Sequence, residues 1–98
     1  MTVAVTADLK AHVGKGSELV KFLIGILGET RARTGCEMID LVISQDNPDH
    51  ILIDERWATK EEHKAYMGWR QERVDIDTLV SFLASPPIIT YFDIADRG

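Results

Sequence analysis

The stretch from Ile51 to Arg70 limits the fold more than any other, because the two-residue periodicity of a strand is followed within it by the three- to four-residue periodicity of a helix. Successive side chains of a strand point to opposite faces, so residues two apart share a face. This alternation places a carboxylate and a tryptophan on an apolar strand face, which consists of Ile51, Ile53, Glu55 and Trp57. We therefore predict a strand at 50–58 with one strongly apolar side.

A helix is predicted immediately after this strand. Thr59 followed by Glu62 gives the T-x-x-E pattern of a capping box, in which the threonine hydroxyl accepts a backbone N–H at the start of a helix. Residues three and four apart lie on one helical face. The predicted stripe along that face consists of His63, Tyr66, Met67 and Arg70, with Trp69 beside it.

The N-terminal part of the chain predicts a strand and a first helix. Apolar residues alternate with polar ones over 2–10, which is typical of a half-buried strand. Ser17 is predicted as the N-cap of a helix that runs to about Arg33 and ends at Gly35. Its apolar face includes Phe22 and Ile26, and the glycines at 25 and 28 predict close packing against the sheet.

The remaining elements follow from the same patterns. Residues 36–44 are predicted as a strand, and a turn over 45–49 returns the chain as a hairpin. After a polar break over 73–77, a short third helix or a last turn of the second is expected before Ser85-Pro-Pro87 ends it. Residues 88–94 form the final strand.

The predicted order is strand, helix, strand, strand, helix, strand, which is the split β-α-β motif of a ferredoxin-like α+β fold. Such a fold has an antiparallel four-stranded sheet with helices on one face. A chain of 98 residues is typical of one domain, so we expect a single domain over 1–98.

A second apolar surface predicts a homodimer. The final strand is predicted to place Ile88, Phe92 and Ile94 on one face. The second face of the sheet then mixes aspartates with apolar residues, which are Met38, Val42, Leu52, Ile89 and Tyr91. A sheet face open to water should be more polar than this. We therefore expect a second copy of the chain to cover it.

Composition excludes several classes of protein. The formal charge of −5, without a dense basic cluster, argues against a nucleic-acid-binding protein. The N-terminus lacks the basic region and apolar core of a signal peptide, and no apolar run approaches a membrane span. The single cysteine, Cys36, fits a reducing compartment. We expect a cytoplasmic protein that binds neither nucleic acid nor membrane.

Several short motifs, taken in order, resemble the antibiotic biosynthesis monooxygenase (ABM) superfamily. They are Gly14, Glu29-Thr-Arg31, Thr34-Gly-Cys36, Glu55-Arg-Trp57, Thr59 to Trp69 and Pro86 to Phe92, so the resemblance covers almost the whole chain. It implies a dimeric α+β barrel. It also implies oxygenation of electron-rich aromatics, quinols or haem, often without a metal or an organic cofactor.

Two departures from the family pattern narrow this implication. Much of the family carries a histidine on the second helix where Tyr66 and Met67 stand here. The haem-degrading branch also uses an asparagine on the first strand, and residues 2–10 contain none. Haem degradation is therefore disfavoured, and the resemblance does not assign the general base.

The catalytic candidates are Trp57, Tyr66 and His63. A tryptophan at such a position is most commonly a core residue, and it can also form the flat wall of a substrate cavity. Tyr66 and His63 lie one helical turn apart and could share a proton with a bound quinol hydroxyl. Beside Glu61 and Glu62, however, a lone histidine in the first turn of a helix is more often a solvated surface residue.

The substrate-binding candidates are Glu55, Trp69, Arg70, Phe22 and Ile26. A buried Glu55 without a partner would have a raised pKa and could accept a proton, whereas an ion pair with an arginine is the commoner arrangement. Trp69 and Arg70 could bind an aromatic or anionic group, or pack at the dimer edge. His12 and His50 form no recognised ligand spacing with nearby carboxylates, so we expect no metal site.

The sequence thus predicts a homodimer with a mainly apolar pocket in each subunit, between helices and sheet. The predicted lining consists of Trp57, Tyr66, Trp69, Phe22 and Ile26. As an enzyme, this protein would oxidise a small quinol or phenol with molecular oxygen and without a cofactor. The alternative is a non-enzymatic dimer that binds a small hydrophobic ligand, and fold alone does not decide between the two.

Overall fold

The computed structural model describes residues 2–97, so both ends of the predicted 1–98 domain lie outside it. The four strands are β1 (Val3–Lys10), β2 (Cys36–Ile43), β3 (His50–Trp57) and β4 (Ile88–Asp93). The helices are α1 (Gly16–Arg31), α2 (Lys60–Glu72) and α3 (Asp75–Ser81). One antiparallel sheet holds the strands in the order β2-β3-β1-β4, which confirms the ferredoxin-like α+β fold.

The core lies between one face of the sheet and the helices. Its most deeply buried aliphatic residues are at most 2% exposed, and they are Leu9, Leu19, Leu23, Leu27 and Ile51. Burying each such side chain contributes roughly 2 kcal/mol. Helix α1 lies over β2 and β3.

The helix-facing side of β3 matches the predicted alternation. Every second residue of this strand, from Ile51 to Trp57, is buried. Glu55 lies opposite Val5 of β1 and Ile39 of β2, which places its carboxyl group within the apolar layer.

Thr59 caps α2 as predicted. Its backbone is extended, and its Oγ1 accepts the backbone N–H of Glu62 at 3.1 Å. The buried residues of this helix are His63, Tyr66 and Arg70, so the predicted stripe faces the sheet.

Helix α1 differs from the prediction in two respects. Ser17 is not its N-cap: Gly16 is the first helical residue, and Asp49 of the β2–β3 turn accepts the backbone N–H of Gly16 at 2.9 Å. A Cβ atom at Gly16 would overlap the backbone oxygen of Pro48. Gly25 and Gly28, by contrast, face open space, so the predicted close packing there is wrong.

The predicted orientation of β4 is also wrong. Ile89 and Tyr91 lie opposite Ala7 and Val5 of β1, and therefore on the helix side of the sheet. The side chain of Tyr91 therefore faces the helices, whereas the sequence pattern had placed it on the opposite face of the sheet.

The face of the sheet without helices remains partly apolar after this correction. Its exposed apolar side chains include Val42, Ile88 and Phe92, which are 45%, 59% and 49% exposed. Among the described residues, no helix is both long enough and apolar enough to cross a bilayer.

Val74 separates α2 from α3. Its φ of 57° lies in the left-handed region, where a β-branched residue is rare. The chain turns sharply there, and α3 begins at Asp75 within the predicted break. The carboxylate of Asp75 then accepts a hydrogen bond from Arg70 at 2.8 Å, which ties the start of α3 to α2.

Candidate functional site

A cavity of about 80 Å³ lies between the sheet and the helices. Its wall is almost entirely apolar and includes side chains from the sheet and from all three helices. Four polar or charged residues also line it: Glu55, Tyr66, Arg70 and Asp75.

Glu55 is the buried carboxyl group of this wall, at 4% exposure. Its Oε1 accepts the indole N–H of Trp57 at 2.9 Å and lies 3.8 Å from Nε2 of His63. Burial raises the pKa of Glu55 to about 7, against the opposing effect of the Trp57 hydrogen bond. No arginine in residues 2–97 pairs with this carboxyl, so the commoner ion-pair arrangement is not formed.

His63 lies on the buried face of α2 and is 1% exposed. It is therefore not the solvated residue of the alternative interpretation. Its Nδ1 forms a 2.8 Å hydrogen bond with the hydroxyl of Tyr91. Burial lowers the pKa of His63 to about 4, which keeps the imidazole neutral at neutral pH.

Tyr66 lines the cavity with its ring stacked on Trp57, at a centroid distance of 5.2 Å. Its hydroxyl accepts the Nε–H of Arg70 at 3.1 Å and forms a 2.8 Å hydrogen bond with Oγ1 of Thr30. This hydroxyl is therefore held in one place by two neighbours.

Arg70 is 1% exposed and makes five hydrogen bonds through its guanidinium group. The acceptors are the Tyr66 hydroxyl, the Glu29 and Asp75 carboxylates, the backbone oxygen of Ile26 and the Thr30 hydroxyl. A guanidinium group has five N–H donors. Since the protein accepts all five, none is left for a ligand, and Arg70 positions the other residues.

The remaining candidates lie at different distances from the cavity. Ile26 lines it. Trp57 is fully buried behind Tyr66, in contact with that ring and with His63, and is not part of the wall. Phe22 also lies outside the wall and packs against Phe82, with ring centroids 5.8 Å apart.

Trp69 lies outside the cavity as well, against a group of arginines. The guanidinium carbons of Arg33, Arg70 and Arg73 are 4.7, 4.7 and 4.8 Å from its ring centroid. The structure therefore brings Glu55, Tyr66, Arg70 and Ile26 to one cavity, with Trp57 and His63 directly behind.

Sequence reasoning missed three residues of this site: Thr30, Asp75 and Tyr91. Tyr91 could have been found only by fixing the orientation of β4. Apart from Tyr66 on the same helix, the acceptors of Arg70 lie on α1 and α3, where no local pattern identifies them. Within residues 2–97, no three His, Cys, Asp or Glu side chains converge as metal ligands do.

Residues 2–71 match the family model of antibiotic biosynthesis monooxygenase. The chain belongs to the antibiotic biosynthesis monooxygenase family. Many solved structures are similar to this ABM chain.

Three solved structures illustrate the likeness. Rv0793 from Mycobacterium tuberculosis is 24% identical with a TM-score of 0.86, covering 99% of this chain and 98% of that one. A conserved protein from Methanosarcina mazei Go1 is 16% identical with a TM-score of 0.85, covering 94% and 91%. An antibiotic biosynthesis monooxygenase is 14% identical with a TM-score of 0.85, covering 96% and 99%. At these identities the likeness shows the ABM fold alone. A comparison with curated proteins found no match.

Proposed function

We propose that this ABM-family chain is a monooxygenase that oxidises a small quinol or phenol with molecular oxygen and without an organic cofactor. One observation carries the proposal: Glu55, a carboxyl group whose pKa is raised to about 7, lies in the wall of an apolar cavity. A general base is most effective when its pKa lies near the operating pH.

The reaction begins when Glu55 removes the proton of a substrate hydroxyl. The resulting anion passes one electron to O2, and the radical and superoxide combine at a ring carbon to form a peroxide. Glu55 returns its proton to the peroxide, which loses water. Quinol and O2 thus give a hydroxyquinone and water, with no external reductant. The apolar wall keeps solvent away from the radical pair.

The free-energy cost of the proton transfer is small compared with a typical enzymatic barrier. A phenol has a pKa of about 10, so transfer to a carboxylate of pKa about 7 is uphill by roughly 4 kcal/mol. A kcat of about 10 s⁻¹ corresponds to a barrier of roughly 16 kcal/mol. The deprotonation therefore uses only part of a typical enzymatic barrier.

Each site residue has a proposed role. The indole N–H of Trp57 donates to Oε1 of Glu55 and fixes the orientation of the carboxyl group. Tyr66 lines the same wall with a fixed hydroxyl and orients the substrate. His63 acts through Glu55 from behind, as a positioning residue.

Substrate entry requires side chains of the wall to move. A cavity of about 150 Å³ is large enough for benzene, whereas this one measures about 80 Å³. Met67 lines it, and the unbranched methionine side chain adapts readily to a ligand. Haem is far larger, which adds to the sequence argument against haem degradation.

A homodimer through the open face of the sheet is part of this proposal. Val42, Ile88 and Phe92 supply the exposed apolar surface, and a second copy offers a matching one by symmetry. We expect sedimentation to give twice the chain mass of 11.0 kDa. A mass equal to one chain at working concentration would reject the dimer.

A binding protein without turnover is the second candidate, because the wall is almost entirely apolar. Oxygen consumption with a panel of quinols and hydroxylated aromatics separates the two. The monooxygenase should consume equal amounts of O2 and quinol. Ligand-induced thermal stabilisation without oxygen consumption would favour the binding protein.

A further inference from the structure

A chain of polar side chains connects the cavity wall to the protein surface. His63 lies between Glu55 and Tyr91: its Nε2 is 3.8 Å from Oε1 of Glu55, and its Nδ1 is 2.8 Å from the Tyr91 hydroxyl. Tyr91 is half-buried and borders a surface depression that also includes Thr59 and Lys60. This series of side chains therefore begins at Glu55 in the cavity wall and ends at Tyr91 beside the surface depression.

Turnover returns the Glu55 proton to the peroxide, but Glu55 must first lose its own proton to solvent to become the active carboxylate. The cavity wall is apolar, so a bound ring separates the carboxyl group from solvent on that side. The other hydrogen-bond partner of the Glu55 carboxyl group among residues 2–97 is the indole N–H of Trp57, which is a donor only. His63 and Tyr91 are the groups behind Glu55 that both accept and donate a proton.

We propose that His63 and Tyr91 form a proton relay between Glu55 and solvent, in which His63 changes tautomer whenever Glu55 exchanges its proton with solvent. The inference rests on the proposed role of Glu55 as the general base.

The transfer is balanced bond by bond. With Glu55 protonated, its O–H faces Nε2 of His63, and the Nδ1–H donates to the Tyr91 oxygen. On release, the Glu55 O–H bond breaks as Nε2–H forms, and Nδ1–H breaks as a new O–H forms on Tyr91. The original Tyr91 proton leaves to water. His63 is neutral before and after, and no electron is transferred.

The environments of His63 and Tyr91 are consistent with this proton transfer. Burial lowers the pKa of His63 to about 4, so the imidazole does not retain a second proton. Burial, and then the charge of Glu55, raise the pKa of Tyr91, so it remains a hydroxyl. The 3.8 Å separation exceeds a hydrogen bond, and such contacts often shorten when a ligand binds.

Other ionisable groups also surround Glu55. They are Asp54 on β3, Cys36 on β2, Tyr66 and Arg70 on α2, and Asp75 on α3. The charge of Asp54 acts on Glu55 to raise its pKa. Arg70 is committed to carboxylates and hydroxyls elsewhere, so His63 is the relay partner.

NMR tests the relay in the free protein and again with a phenol bound in the absence of O2. The ¹⁵N shifts of His63 identify its tautomer, and the ¹³C shift of the Glu55 carboxyl follows its ionisation. We expect His63 to change from the Nδ1–H to the Nε2–H tautomer with the same midpoint as Glu55. Variants His12→Gln and His50→Gln assign the signals, because the chain has three histidines.

Two variants make the test specific. Tyr91→Phe keeps the ring but removes the hydroxyl, so Glu55 should still titrate while His63 no longer changes tautomer. Glu55→Gln should fix one tautomer at every pH. A single His63 tautomer throughout the wild-type titration of Glu55 would overturn the relay.

The outcome is distinguishable from that of the proposed function. Oxygen consumption without the tautomer change would overturn the relay and leave the monooxygenase proposal standing. A tautomer change without oxygen consumption on any quinol would support the relay and overturn the proposed chemistry.

Discussion

Replacing Glu55 with Gln is expected to lower kcat for quinol oxidation by about 10²- to 10⁴-fold, the usual contribution of a general base. The amide oxygen can still accept the indole N–H of Trp57, which is 2.9 Å from Oε1, but the amide does not take up a proton. Because the carboxylate is the active form, wild-type activity should rise as pH increases through about 7. Oxygen consumption measured across pH should show this rise in the wild type and not in the variant.

The same substitution should not weaken the fold. The pKa of Glu55 is raised from 4.5 to about 7, so the folded state binds more protons than the unfolded state within this window. Stability therefore falls as pH rises through it, by about 3 kcal/mol in total. An uncharged Gln avoids this loss. The lowered pKa of His63 acts in the opposite direction, because stability rises with pH between about 4 and 6.5. Glu55→Gln should therefore be compared with the wild type by urea unfolding above pH 7, where the whole Glu55 loss remains and the variant should be the more stable.

Glu61→Gln is the matched control for Glu55→Gln. Glu61 is exposed in the first turn of α2, so its replacement should change neither activity nor its pH profile. If Glu55→Gln retained full activity while Glu61→Gln behaved as expected, Glu55 could not be the base.

Replacing Arg70 with Met should lower the free energy of unfolding by about 3–5 kcal/mol, the usual cost of removing one partner of a buried ion pair. The hydroxyls of Thr30 and Tyr66 and the carboxylate of Asp75 would lose the hydrogen bonds that Arg70 donates to them. A domain of ordinary stability has about 5–15 kcal/mol in total. Urea denaturation should therefore show a large decrease in midpoint.

Arg73→Met provides the comparison for Arg70→Met. Arg73 contacts the same Glu29 and Asp75 carboxylates, at 3.3 and 3.4 Å, but its side chain is 47% exposed. Exposed ion pairs contribute about 1 kcal/mol or less. Arg70→Lys should also remain destabilised, because an ammonium group has three donors and no planar fork. Similar small losses in all three variants would contradict the central role of Arg70.

Local patterns predicted the parts of the fold that depend on local physics. The alternation from Ile51 to Trp57 specifies β3, since one face of this strand is buried. The hydroxyl of Thr59 and the backbone N–H of Glu62 lie within one turn, so the cap of α2 is also encoded locally. The buried stripe of α2 follows from that start.

The orientation of β4 could not be predicted in the same way. Ile89 and Tyr91 alternate with Ile88 and Phe92, so both faces of this strand are apolar and periodicity does not choose between them. Pairing with β1 makes the choice, and pairing is a tertiary contact.

The other differences also arise from tertiary contacts. Asp49 caps α1 from the β2–β3 turn, where no pattern near Ser17 could reveal it. The exclusion of Trp57, Trp69 and Phe22 from the cavity wall depends on how neighbouring side chains fill space. Composition and spacing contain no information about such volumes.

The two tryptophans lie in contrasting surroundings. Trp57 is fully buried against Tyr66 and His63, whereas Trp69 is partly exposed among three guanidinium groups. The chain therefore contains two native fluorophores with separate emission. We expect the buried indole to emit at the shorter wavelength and to respond to any displacement of the Tyr66 ring that covers it.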